Sequence, residues 1–193
     1  MKNFNKTKLT IDIVWANVFG ILILLPIGLL FGLPYYLLWG ADFGINTIKE
    51  LLGSVTVGLV FAYTFGLIIT MLLGVVLHEL IHGVVWAKYA KRGFKSIKFG
   101  VIMKLLTPYC HCKEPLQVKH YILGALMPAI ILGLLPGVAA IIIGHFNMLL
   151  FGLFFTMAAS GDFLVVNLLR KEDMKSFVQD HPSEAGCYVY RKN

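Results

Sequence analysis

His78, Glu79 and His82 stand in the order H-E-x-x-H within Leu77-His78-Glu79-Leu80-Ile81-His82-Gly83. On an α-helix, residues four apart stack on one face, so this spacing sets two imidazoles side by side. Such a pair can reach one tetrahedral Zn²⁺ at about 2.0–2.1 Å per nitrogen. Glu79 projects to the same side, where it can take a proton from water activated by the metal instead of ligating it. The surrounding sequence is apolar, and two imidazoles and a carboxylate are costly there unless something satisfies them. Lys88, the next charge, follows His82 by about 9 Å of helix, so the motif is expected below the membrane surface.

Two histidines leave a site incomplete, because a catalytic zinc usually has three protein ligands and an open position. Asp162, in Ala159-Ser160-Gly161-Asp162-Phe163, is the one acid inside the last apolar stretch and precedes Arg170 by about 12 Å of helix. Its depth therefore matches that of the histidines, and Gly161 is expected to let another helix come close. The rival source of a third ligand is Cys110-His111-Cys112. Neighbours in sequence can hardly all bind one ion, but one of the three could, and thiolate ligands would suit a closed structural site. Otherwise it is expected to be a reduced surface cluster lining a cleft, or to set His111 against substrate or metal-bound water. His120, His145 and His181 are expected to be ordinary exposed histidines.

The elements that position these groups follow from composition. Of 193 residues, 58% are hydrophobic and 14% charged, against about 25% charged in an ordinary soluble domain. One soluble core of this length cannot bury so much apolar surface, which excludes both a soluble enzyme and a disordered chain. Four apolar stretches suffice to span a bilayer, over about 13–38, 55–87, 121–144 and 148–169. Pro26, Gly28 and Pro34 in the first and Pro128 and Pro136 in the third predict kinks. The second is longer than one crossing needs and must tilt or project. Trp15, Trp39 and Trp86 read as interfacial anchors.

Charge predicts the orientation. Of the 17 basic residues, all but Lys49 lie before the first stretch, between the second and third, or after the fourth. By the positive-inside rule both termini and segment 88–120 are cytoplasmic, and loops 39–54 and 145–147 face outward. The net charge of +7 is thus membrane anchoring and not a nucleic-acid footprint. Cys110, Cys112 and Cys187 fall on the reducing side. The basic N-terminus lacks a small-residue cleavage site before the first span, so that span is expected to be retained. In segment 88–120, Phe94–Leu106 alternates enough for one or two short strands, and Thr107–Leu116 reads as turn-rich. The expectation is an all-α polytopic membrane protein, one domain over 1–193, with four transmembrane helices and a short, β-containing cytoplasmic segment between helices two and three.

These motifs resemble a family of bacterial membrane proteins described as zincin peptidases, which share H-E-x-x-H-G on one span and S-G-D on a later one. The resemblance covers about 70–170, through His78–Gly83, Pro115–Pro128 and Ser160-Gly161-Asp162. In mechanism the chain is also similar to the site-2 proteases, whose zinc takes two histidines from one span and an aspartate from a later one. Their aspartate sits in an N-P-x-D-G context, where this chain has Ser-Gly-Asp-Phe. The resemblance implies zinc on His78, His82 and Asp162, Glu79 as general base, a bacterial cell-membrane location, and a strand near 97–106 that pairs with unwound substrate. The function expected is a zinc-dependent metallopeptidase cutting a membrane protein or peptide in or near the bilayer on its cytoplasmic side. Two alternatives stand beside it. A fourth protein ligand would make the chain an inactive metal-binding scaffold. A transporter or metal sensor would need polar residues relayed across several spans, whereas Glu79 and Asp162 cluster at one depth.

Overall fold

The computed structural model describes residues 4–40, 53, 56–102, 107–181 and 184–192, so Lys49, Lys104 and most of loop 39–54 lie outside the described residues. Three helices are long and apolar enough to cross a membrane: α1 (Val14–Trp39), α2 (Val57–Tyr89) and α3 (Val118–Ile143). Two shorter ones follow, α4 (Phe146–Ala158) and α5 (Ser160–Leu169), which qualify together as one broken span. The prolines of α1 and α3 do not end those helices. Each pair brackets a π-helical stretch, Gly28–Gly32 between Pro26 and Pro34 and Ala129–Leu134 between Pro128 and Pro136. Widening the turn accommodates the carbonyls that proline cannot bond. Asp12, ahead of α1, caps it by accepting the Trp15 N–H at 2.8 Å.

Helix α2 has 33 residues, about 50 Å, and so exceeds a hydrocarbon core of about 30 Å. Residues 57–70 are exposed throughout, whereas His78, His82, Gly83, Trp86 and Ala87 are buried. Only the part of the helix from Gly74 onward, about four turns, is enclosed by protein. Glycine permits that enclosure: a side chain at Gly74 would strike Phe155 of α4, and one at Gly83 would strike Phe99.

Segment 148–169 is not one continuous span. It bends by 42° between α4 and α5, where Ser160 and Gly161 follow Ala159. Serine–glycine pairs are a usual cause of sharp kinks. A Cβ at Gly161 would meet nothing within 4 Å, so this glycine faces open space and does not admit a neighbouring helix.

The chain carries more β-structure than its composition predicts. Strands β2 (Ile97–Ile102) and β3 (Thr107–Cys112) form an antiparallel hairpin with Lys98 opposite His111. The stretch expected to be turn-rich is therefore mostly the second strand. A four-stranded sheet then joins both ends of the chain, in the order β1 (Phe4–Thr10), β6 (Gly186–Lys192), β5 (Phe177–Asp180), β4 (Leu116–Gln117). Phe4 pairs with Lys192 and Thr10 with Gly186, and Leu116 pairs with Val178. An all-α description fails on this sheet. Its lower side closes a core in which Val178, Cys187 and Val189 pack with Trp86, Val118, Tyr121 and Leu169.

Two side chains expected at an interface or in solvent are buried instead. Trp86 is 4% exposed and is a core residue, not an interfacial anchor. His181 is buried at the end of β5, where its Nδ1 accepts the Glu184 N–H at 2.9 Å. His120 is half-buried and stacks on Tyr89 with ring centres 3.9 Å apart, whereas His145 is exposed, as expected, and caps α4 by accepting the Met148 N–H.

Candidate metal centre

Three elements converge at the enclosed end of α2. His78 and His82 lie edge to face with ring centres 4.9 Å apart, as the four-residue spacing requires. Asp162, in the first turn of α5, straddles them: His78 Nε2 is 3.3 Å from Oδ2 and His82 Nε2 is 3.4 Å from Oδ1. One donor atom from each residue lies within 4.8 Å of the others, and among the described residues this is the one such group of histidine, cysteine and acid side chains. The bend before Ser160 turns Asp162 toward α2.

The donor set fits zinc. Four donors at 2.0–2.1 Å from a tetrahedral ion stand about 3.3–3.4 Å apart, the separation seen between each imidazole and the carboxylate. The same distances are long for a good N–H···O bond, whose range is about 2.7–3.2 Å. His82 Nδ1–H donates to the Gly124 carbonyl at 2.9 Å, which fixes its proton on Nδ1 and leaves the Nε2 lone pair facing Asp162. His78 Nδ1 is buried without a hydrogen-bond partner, so the polar anchor of that ring is through Nε2. Among the described residues no fourth protein side chain joins the three.

Glu79 is half-buried beside them, within hydrogen-bonding range of the Cys110 backbone N–H. These groups line a cavity of about 250 Å³ roofed by Pro108, Tyr109, Cys110 and His111 of β3. Strand β3, rather than the whole of 97–106, is therefore the strand at the site. The structure places Cys110 and His111 in the cavity wall but outside the three-residue group. Cys112 stands outside the cavity wall, and its backbone N–H donates to Asp180 Oδ2 at 2.8 Å.

The cysteines form no exposed cluster: all three are free and buried. Burial pushes the Cys110 thiol far up, with Glu79 and Asp180 adding to the effect. Burial likewise raises Cys112 to about 11 and Cys187 to about 12. At about pH 7 all three are thiols, and thiols are poor nucleophiles. Iodoacetamide is expected to leave the folded protein unlabelled near neutrality, with reaction growing only as pH rises toward those values. In denaturant, mass spectrometry should find three adducts.

The residues that support His82 carry no signal of that role in the sequence. Tyr121 stacks on Trp86 at 5.0 Å and Trp86 on His82 at 5.1 Å, an aromatic column that fixes the second histidine. Trp86 Nε1–H donates to the Tyr121 carbonyl at 3.1 Å, and the Tyr121 hydroxyl donates to Asp180 Oδ1. Burial raises the Asp180 pKa, opposed by that hydroxyl and by the Cys112 amide. The sheet that unites the chain ends thus reaches His82 through β5. Gly124 belongs to the same support, since a side chain there would strike the Trp86 indole. Gly124→Ala is expected to displace Trp86 and lengthen the His82–Gly124 bond, weakening zinc binding about 10–100-fold. Competition with a chromophoric chelator measures that loss, and an unchanged affinity would mean the column does not position His82.

Residues 71–177, more than half of the chain, match a family model described as "Putative zincin peptidase". That family implies zinc, in agreement with the His78, His82 and Asp162 group. No curated protein and no solved structure matches the chain.

Proposed function

Because the chain belongs to the zincin peptidase family, we propose that it is a multi-pass membrane zinc metallopeptidase that cuts a polypeptide in or near the bilayer on the cytoplasmic side. The observation that carries this is the convergence of two imidazole nitrogens and one carboxylate at 3.3 and 3.4 Å, with a second carboxylate in the same cavity that ligates nothing. When bound by His78, His82 and Asp162, Zn²⁺ supplies a Lewis acid that polarises the scissile carbonyl and brings the pKa of water toward about 7. Glu79 accepts the proton of the attacking water on its carboxylate. The C–O bond forms in that step, and Glu79 then delivers the proton to the leaving nitrogen as the C–N bond breaks. The aromatic column and the Gly124 carbonyl hold His82 in one tautomer throughout. Strand β3 offers its backbone to an extended substrate segment beside Glu79.

Topology supports four crossings. Strands β1 and β6 pair, as do β4 and β5, so the segments before α1, between α2 and α3, and after α5 share one sheet and one side. An even number of crossings between them makes α4 and α5 together the returning span. The concentration of Lys and Arg in those segments supports a cytoplasmic location for that side.

The test uses the full chain in detergent micelles with a quenched-fluorescent peptide library. Cleavage is expected to stop on chelation and return with added Zn²⁺. Cleavage that survives complete removal of metal would overturn the reading.

A further inference from the structure

A second cavity, of about 490 Å³, lies where the β2–β3 hairpin meets the four-stranded sheet. Lys6, Lys98 and Lys113 line it, together with His111, Asp180 and Tyr188. His111 and Asp180 also line the metal cavity, so the two share a wall.

The charge on this cavity is compensated only in part. Lys8 pairs with Glu184, Arg92 with Glu114 and Arg191 with Glu172. Among the described residues none of the three cavity lysines has a carboxylate partner. Asp180 is the single acid in the wall, and its two oxygens already accept from the Tyr121 hydroxyl and the Cys112 N–H. The backbone that carries the lysines is held in place. Lys98 faces His111 across the hairpin, and the backbone of Lys113 is fixed by bonds to the Ser96 carbonyl at 2.8 Å and from Gln179 Nε2 at 2.6 Å. The Lys6 ammonium sits 3.6 Å from the centre of the Tyr188 ring. Three like charges around one concavity repel each other until an anion enters, and such a cavity concentrates anions.

We propose that this cavity binds acidic side chains of the polypeptide substrate, on one side of the bond to be cut. The inference rests on the peptidase reading above and specifies its substrate class. A polypeptide fits better than a lipid headgroup because every lining residue lies on or beside a strand and none on a spanning helix. An extended chain leaving the metal cavity past His111 also meets Lys98 and Lys113 next.

The experiment uses the full-length, zinc-loaded Glu79→Gln protein in neutral detergent micelles, so that peptide binds without turnover. The probes are a fluorescein-labelled peptide with several Asp and Glu residues and its Asn and Gln counterpart, compared by fluorescence anisotropy. The acidic peptide is expected to bind about tenfold more tightly, the sum of a few exposed charge pairs, and to lose that advantage in high salt. Lys98→Gln with Lys113→Gln should reduce it to the level of the neutral peptide at unchanged zinc content, and Lys6→Gln should do so in part. Equal affinity for the two peptides, or an acidic preference that survives the lysine changes, overturns the proposal. So does displacement by anionic phospholipid in mixed micelles with no preference between the peptides. The two readings fail separately: a zinc-dependent peptidase without acidic preference removes this inference alone. An acidic preference without zinc-dependent cleavage removes the peptidase reading and leaves an anion site.

Discussion

Glu79→Gln should hold its zinc and lose hydrolysis by a factor of about 10²–10⁴, the range contributed by a positioned general base. Glutamine keeps the shape of the side chain and its contact with the Cys110 N–H, but it cannot accept a proton from water. Glu79 stands outside the His78, His82 and Asp162 group, so the metal should stay at the wild-type ratio per chain. The test is a paired measurement on one preparation: metal content by mass spectrometry and turnover of a cleaved library peptide. Full zinc with turnover near wild type would exclude Glu79 as the base. Loss of zinc along with turnover would make it a ligand and close the site, which is the inactive-scaffold alternative.

The three-donor group was legible because its residues are conspicuous where they stand. Histidine and glutamate inside an apolar run have few tolerable explanations, and the depth of Asp162 relative to Arg170 matched it to α2 without any knowledge of packing. The apolar helices were legible from hydropathy alone. The sheet was not, because each of its strands is stable only against a partner far away in sequence. Phe4 meets Lys192, and the Lys6 and Lys8 of β1 read equally well as the basic flank of a first span. The supporting shell was hidden for a related reason. Trp86 follows His82 by one helical turn and looks like an interfacial aromatic until Tyr121 and Gly124 close over it. Tyr121 and Asp180 are 59 positions apart, and no spacing rule joins them. The bend at Ala159 left a trace, the Ser160-Gly161 pair, but its consequence depends on where the cavity lies.

Asp162→Ala should have the larger effect on the metal. The two imidazoles come from one helix and by themselves offer two donors, whereas the carboxylate supplies the third and reaches both, with Oδ2 beside His78 and Oδ1 beside His82. Removing it leaves two buried rings with no anion between them, one of which already has an unpartnered Nδ1. Affinity should fall more than about 100-fold, beyond what loss of an outer-shell partner such as the Gly124 contact produces. The loss should also appear in stability. A 100-fold drop at fixed free zinc removes up to about 2.7 kcal/mol of ligand-linked stabilisation, so the rise in melting temperature on adding zinc should shrink or vanish. Equilibrium dialysis against a competing chelator gives the affinity, and thermal denaturation with and without zinc gives the linkage. The triple variant Cys110→Ala, His111→Ala, Cys112→Ala is the matched control, and it should keep wild-type zinc because those residues stand outside the three-donor group. The opposite pattern, zinc kept without Asp162 and lost without the cysteine–histidine cluster, would move the third ligand to β3. A thiolate- or imidazole-rich site of that kind favours a structural ion over a hydrolytic one.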